Sequence, residues 1–340
     1  MSIPVSLTSI PDSLLDRDAF LSGLLSRVTT KKSDGWLQDL REDAVNWVRH
    51  SVIPNTREEE WRFTDLSPLK QVDFNNVKTI HKLSLQDDFA LPEVSGRLVF
   101  VNGVYSPDLS NTENLPTGLI VGNLDVLPGE VIQKYLAQAE GSKEVFTALN
   151  TAALNDVAVV WVAKNVVVET PIHLLFVSVS GESATISQPR VLVVAESNSQ
   201  VTLIEEYIAS SQNEGVYFTN SVTEIWVNEN AQVSHNRIAR EGAAAFHVGK
   251  TAVTQARYSR YSCNAVTVGG KISRHNLEIL QTGEQTETTL NGLTVIANNQ
   301  LADTHSALSL NHPHGVSKQL HKCIIGDRAH GVFNGKIFVP

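Results

Sequence analysis

Six side chains able to bind a metal or carry a proton gather toward the C-terminal end of the chain: His305, His312, His314, His321, Cys323 and His330. Imidazole with thiolate is zinc or iron chemistry, and His312-Pro313-His314 and His321-Lys322-Cys323 are the places to look. The spacing matches no standard zinc pattern. His312 and His314 flank a proline expected in a loop, and on a strand His321 and Cys323 would share one face, being two apart. Polar pairs of this kind also form stacked ladders or lie on the surface, and on that reading no metal ligand is assigned.

Cys263 is the second chemical candidate. Arg257 and Arg260 stand close in sequence and could lower its thiol pKa toward a sulfur acceptor, against the commoner outcome of a buried, inert thiol. The run Glu58-Glu59-Glu60 could supply paired carboxylates. Thr56 with Glu59 instead matches a capping box, and acidic residues suit a first helical turn, so the run reads as structural, with Trp61 and Phe63 as packing anchors. The sequence lacks a phosphate-binding P-loop, since Gly269-Gly270-Lys271-Ile272-Ser273 has neither the upstream glycine nor the adjacent hydroxyl residue. Gly-x-Gly-x-x-Gly and Gly-x-Ser-x-Gly are missing too. No catalytic residue is assigned.

The elements that must hold these residues belong to an ordinary globular composition: 340 residues, 42% hydrophobic and 19% charged. The net charge of -9, from 36 acidic and 27 basic residues without a basic block, argues against nucleic acid or an anionic membrane as partner. Neither a signal peptide nor a run long enough to span a bilayer is read. Two cysteines suit a reducing compartment, and a cytoplasmic location is expected.

Residues 12–28 place Leu14, Leu15, Leu21, Leu24, Leu25 and Val28 at helical spacing behind Ser13 and Asp16, which predicts a capped helix. A second helix is predicted from near Ser33 to before Pro54, with Trp36, Leu37, Leu40, Ala44, Trp47 and Val48 on one face. Both should pack on each other or on the next domain. From Leu98 onward the chain turns to short β-rich runs, interrupted by a helix predicted within Glu130 to Asn155.

Repetition decides the β architecture. The unit of apolar run, polar turn and apolar run recurs around Asn165, Asn198 and Asn230, roughly 30 to 35 residues apart, a period of solenoids and propellers. Later units are expected to turn at Gly269-Gly270, Asn298-Asn299 and Gly326-Asp327. Near-continuous Val/Ile/Leu runs fit strands covered by neighbours in a stacked coil. A mainly β fold built as a parallel β-helix is predicted, with a β-sandwich as competitor. Three regions follow: 1–95 N-terminal and helical, 96–156 linking, and 157–340 β-helix core.

Several segments resemble one family. Pro54 with the stretch Arg57 to Leu66, Leu98 to Gly103 and Phe146 to Asn150 are similar to N-terminal segments of the SufB/SufD family of iron-sulfur cluster assembly proteins, its SufD branch in particular. Arg274-His275-Asn276, Leu290 to Leu293, Asp303-Thr304-His305, Ser317 to Lys322 and Val332 to Ile337 are similar to its β-helix rungs. The resemblance covers about residue 36 to the end and implies a right-handed β-helix. It also implies a non-catalytic scaffold subunit of a SufBCD complex, paired with a SufB-type subunit and driven by a SufC-type ABC ATPase. The iron-sulfur cluster and a reduced flavin would belong to the complex, and a homodimer is possible. Family members continue past the Val-Phe-Asn-Gly segment to a SufC-docking helical domain, through a Cys-x-His-Gly stretch. A shortened form of that pattern, with weak or no SufC binding, is therefore expected, and no cluster-interface residue is carried over. The rival reading is a β-helix lyase or esterase acting on carbohydrate, for which Asp303 would be the carboxylate to test.

Overall fold

The computed structural model describes residues 17–28, 30, 35–76, 91, 93–139, 141, 144–179, 183–210 and 215–340. The N-terminal part carries α1 (Ala19–Arg27), α2 (Trp36–Arg49), α3 (Ser67–Lys70) and the short strand β1 (Asn75–Asn76). Next come β2 (Gly96–Val101), β3 (Val104–Tyr105), β4 (Leu119–Gly122), α4 (Gly129–Ile132) and α5 (Val145–Ala152). A parallel β-solenoid of about six turns follows, spanning 158–338. It is wound by β5 (Ala158–Val162), β6 (Ile172–Ser178), β7 (Thr185–Ser187), β8 (Arg190–Ala195), β9 (Gln200–Ala209), β10 (Tyr217–Val227) and β11 (Gln232–Glu241). The later turns are β12 (Phe246–Gln255), β13 (Arg260–Gly269), β14 (Ile272–Gln281), β15 (Glu287–Ile296), β16 (Leu301–Ser309), β17 (Val316–Ile325) and β18 (His330–Phe338).

The coil is flattened into two sheets. One runs β18-β16-β14-β12-β10-β8-β5-β4 and the other β17-β15-β13-β11-β9-β6-β2-β3, so from β8 onward successive strands alternate between sheets and each pairs with the strand two later. Pairing along the coil is parallel and in register: Ile225 stacks on Val253, Val253 on Ile279 and Ile279 on Leu308. Parallel pairing of consecutive coils is incompatible with the antiparallel sandwich weighed as competitor. Period-two alternation sends these residues inward, where they meet Val201, Leu203, Val233, Tyr261 and Leu290 of the facing sheet.

Asn165, Asn198 and Asn230 mark one corner of the coil, each in the left-handed region at φ 65°, 61° and 56°. Their side chains form a ladder, Asn198 Nδ2 donating to Asn165 Oδ1 at 2.8 Å and Asn230 Nδ2 to Asn198 Oδ1 at 2.9 Å. The corner continues through Tyr258, Gln285 and His314, also at positive φ, whereas Gly269-Gly270, Asn298 and Asp327 belong to the connections at the opposite end of the strands. The sequence expectation had joined these two sets. Asparagine advertises the left-handed conformation and tyrosine or glutamine does not.

The N-terminal helices pack on the outer face of the even-numbered sheet. Leu21, Leu24 and Val48 join Phe146, Phe218 and Phe246 in one cluster, and Leu37 joins Ile132, Val157 and Leu192 in another. Of the first predicted helix, Ser13 and Asp16 lie outside the described residues; the cap observed is Asp18, whose Oδ1 accepts from Phe20 N–H at 2.9 Å. Ser33 also lies outside them, and α2 starts at Trp36. Trp47, expected on the buried face of α2, is 43% exposed, because Arg41 takes a buried position there and donates to the Leu154 carbonyl at 2.7 Å. The single helix expected within 130–155 is two short ones. Ala137 and Gly141 at φ 60° and 73° break it, and Glu144 recaps α5 by accepting from Phe146 N–H and Thr147 N–H.

Asn198→Val should lower stability by about 1–2 kcal/mol, since a β-branched residue resists the left-handed conformation and the ladder loses its middle member. Asn198→Gly should cost less in thermal denaturation, and equal loss in both would contradict this.

Candidate functional site

A segment of the N-terminal part meets the late coils on the outer face of the sheet that holds β14, β16 and β18. Registry places Arg274 beside Asp303, and Asn276, His305 and Asn334 in one row across β14, β16 and β18; Glu278, Ala307 and Lys336 form the next. Residues about 30 apart in sequence thus become neighbours at strand spacing. The segment Glu60 to Thr64 lies across these rows.

Local geometry presents that segment. Asn55 Oδ1 accepts from Arg57 N–H at 3.0 Å and Glu58 Oε1 from Asn55 N–H at 3.1 Å, leading into a 3-10 turn over Glu59–Trp61. The capping pair is therefore Asn55 with Glu58, one residue before the expected Thr56 with Glu59. Trp61 is 5% exposed, its ring 5.5 Å from that of Phe146. Phe63, predicted as a second anchor, is instead 55% exposed beneath Arg62. Its neighbour Thr64 takes the buried place and donates to Asp303 Oδ2.

Arg274 is the centre of the junction. It is buried, its guanidinium carbon 3.9 Å from the Trp61 ring centroid, and it pairs with Asp303 Oδ2. A buried cation needs both a counterion and hydrogen-bond partners, and the indole face adds a cation–π contact. His305 lies between two carboxylates, with Nδ1 3.2 Å from Glu60 Oε2 and Nε2 2.9 Å from Asp303 Oδ1. The second contact is off the hydrogen-bond axis, leaving Asp303 Oδ1 without a hydrogen bond among the described residues. Lys336 closes the arrangement on Glu60 and Glu59. Burial pushes the Asp303 carboxyl up, but His305, Arg274 and Thr64 outweigh it and hold the group below its ordinary value. Glu60 is likewise held down by Lys336 and His305 against its burial. Asp303 is buried, with Oδ2 taken by Thr64 and Arg274, and is poorly placed to serve as a general acid or base.

The C-terminal histidines are dispersed. His305 is in the junction; His321 stacks on Phe333 with centroids 4.7 Å apart and meets Thr294 Oγ1 at 3.1 Å. Cys323 is exposed on the same side of β17, while His312 and His314 occupy the corner between β16 and β17, and His330 opens β18. No grouping of three or more His, Cys, Asp or Glu able to hold a metal occurs among the described residues. Cys263 is buried inside the coil. Arg257 and Arg260 do not approach it: they point outward and pair with Glu229 at 2.6 Å and Glu287 at 3.2 Å.

The solenoid interior holds a polar network that the sequence reading did not single out. His235 Nε2 meets Glu205 Oε2 at 3.0 Å and Nδ1 meets the Tyr261 hydroxyl at 2.9 Å. Arg237 approaches Glu205 at 3.8 Å and His247 at 2.6 Å, and His247 also contacts Glu241 at 2.6 Å. Beyond them Thr251 Oγ1 meets His275 Nε2 at 3.0 Å. The signal was the alternation Val233, His235, Arg237, Ala239, Glu241, which sends three ionisable groups to the inner face of β11. Although burial opposes charge on both, Glu205 is drawn down to about 2 by His235 and Arg237, and His235 is raised to about 9 by Cys263 and Glu205. Burial, reinforced by Arg237 and neighbouring histidines, pushes His275 well below its usual value; His247 and His321 are also lowered, first by burial.

Comparison with known proteins shows the family. The SufBD protein N-terminal region matches residues 25–174 and the SUF system FeS cluster assembly SufBD core domain matches 176–340. The chain belongs to the SufB/SufD family. A SufBD family iron-sulfur cluster assembly protein of Synechocystis sp. is 44% identical over 318 residues, covering 90% of this chain and 70% of that one. Protein ABCI7, chloroplastic, of Arabidopsis thaliana is 31% identical over 314 residues, covering 89% and 65%. SufD of Escherichia coli is 29% identical over 315 residues, covering 91% and 70%. The chain thus spans 65% to 70% of these relatives' lengths. No helix among the described residues is long and apolar enough to cross a membrane.

Two outcomes follow for this SufB/SufD protein. Trp61→Ala should cost about 3–5 kcal/mol in denaturant unfolding, because it opens a cavity and uncovers a buried guanidinium. His275 is held well below its usual value in the fold and His247 and His321 below theirs, whereas unfolded they take up protons near pH 6.5, so Tm should fall as pH drops from 7 toward 5. His235 acts in the opposite sense: its contribution is complete below about 6.5 and is lost as pH rises through about 9. A Tm flat from pH 7 to 5, or an acid slope unchanged by His275→Asn, would contradict the assignment.

Proposed function

We propose that the chain is a SufD-like, non-catalytic scaffold subunit of the SUF iron-sulfur assembly machinery, working in the cytoplasm. It pairs with a SufB-type subunit and is mechanically coupled to a SufC-type ATPase. The observation that carries the reading is that matches to both SufBD regions, over 25–174 and 176–340, fall on parts joined through Trp61, Arg274 and Asp303. A body tied together in this way passes on strain applied by a nucleotide-driven partner without absorbing it in hinge motion. Iron and sulfur are then substrates of the complex, and a flavin, where present, is bound at the level of the complex. The three regions 1–95, 96–156 and 157–340 serve as N-terminal strut, link and scaffold. The carbohydrate-enzyme reading loses support because Asp303 is buried and bound by Thr64 and Arg274.

Co-expression with SufB-type and SufC-type subunits, followed by affinity purification, tests the proposal. Capture of the SufB-type subunit in equimolar amount, with cluster assembly on the complex failing when this chain is omitted, is the expected result. Absence of SufB-type capture, or self-association in preference to it, would overturn the pairing.

A further inference from the structure

We propose that the outer face of the sheet that holds β11, β13, β15 and β17 is a docking surface for an acidic amphipathic helix of a partner protein. Registry builds the surface in two rows. Ile238, Val266 and Leu293 lie side by side and lead to Lys322, while Arg240, Val268 and Val295 lead to Ile324. Alternation with the inward-facing Val233, Tyr261 and Leu290 turns these side chains out. Val268 is 39% and Ile324 62% exposed, and Ile238, Val266, Leu293 and Val295 are partly so. The apolar stripe measures about 14 Å across the strands and about 7 Å along them.

The molecule itself shows what such a face takes. On the early coils the same two rows hold Leu175, Val177 and Ile208, which are buried under Leu109 and Val179. The outer face of the other sheet is covered by helices, as parallel sheets generally are on both faces. Charge then selects the occupant. Lys318 and Lys322 project from β17 beside the stripe, exposed and without a carboxylate partner among the described residues. The outward acids on β9 to β17 are Glu206 and Glu287, and both are taken, Glu206 by His173 and Arg240 and Glu287 by Arg260. A second copy docked through this face brings no free carboxylate and sets its own lysines against these. A helix with apolar side chains at i, i+3, i+4 and i+7 fills the stripe, and Asp or Glu beside them meets Lys318 and Lys322. Two lysines beside an apolar stripe are too few to hold a phosphate polymer.

This inference goes beyond the assembly reading and concerns the isolated chain, so its failure leaves that reading intact. The test is selection against the purified chain from a displayed library of helical peptides about 14 residues and roughly 21 Å long, varied at every surface position. Enrichment of peptides with an apolar stripe flanked by Asp and Glu is expected, and Val266→Lys should weaken their binding about tenfold or more. The double variant Lys318→Glu, Lys322→Glu changes two exposed side chains, so it should keep the parent Tm and turn the preference toward Lys-flanked peptides. Enrichment of neutral or basic sequences, no enrichment, or binding unchanged in either variant would overturn the proposal. So would a dimer of the chain that Val266→Lys dissolves, since a second copy would then be the occupant.

Discussion

Parallel stacking in unbroken register is the constraint on which the molecule depends. Because from β8 onward every strand pairs with the strand two later without a slip, a residue's neighbours on one sheet face are fixed there by addition of a coil length. That is how Arg274 comes to Asp303 and how Asn276, His305 and Asn334 form a row. A slip of one residue on β16 would turn Asp303 inward and leave Arg274 as an unpaired buried cation. Register and ion pair therefore enforce each other, and the N-terminal segment, through Trp61 and Thr64, senses both.

The interior shows a different compromise. A solenoid core can be wholly aliphatic, and near Val193, Ile225, Val253 and Ile279 it is. Toward the opposite edge of the two sheets it carries Glu205, His235 and Arg237 from one and His247 and His275 from the other. Desolvating these groups is costly, and they are tolerated because most have partners across the two sheets. Such a core gains specificity of register at the expense of tolerance to protonation, since any group driven to its other charge state loses its match.

Much of the architecture was legible because the solenoid repeats. Val/Ile/Leu runs and the asparagines at 165, 198 and 230 disclosed the coil, and each of those asparagines does hold a left-handed turn. The corner at Tyr258, Gln285 and His314 was not legible, because tertiary stacking forces non-asparagine residues into that conformation. Trp47 and Phe63 misled for one reason: aromatic size signals burial, but Arg41 and Thr64 had buried partners in Leu154 and Asp303. Of the site, the segments around Trp61, Arg274, Asp303 and Lys336 were each noticed, but their convergence was not. Contacts across 239 and 276 residues leave no periodic trace. The histidine cluster was the reverse case, close in sequence and dispersed in space by a corner and by strand alternation.

The central claim, that the N-terminal segment and the late coils form one cooperative body, is tested most directly by a double-mutant cycle between Thr64→Val and Asp303→Asn in equilibrium unfolding. The account predicts a coupling energy of about 1 kcal/mol or more between these positions, with a single transition in all four proteins. Additivity within about 0.3–0.5 kcal/mol, or two separate transitions in the parent chain, would show that the segment merely rests on the solenoid and would contradict it.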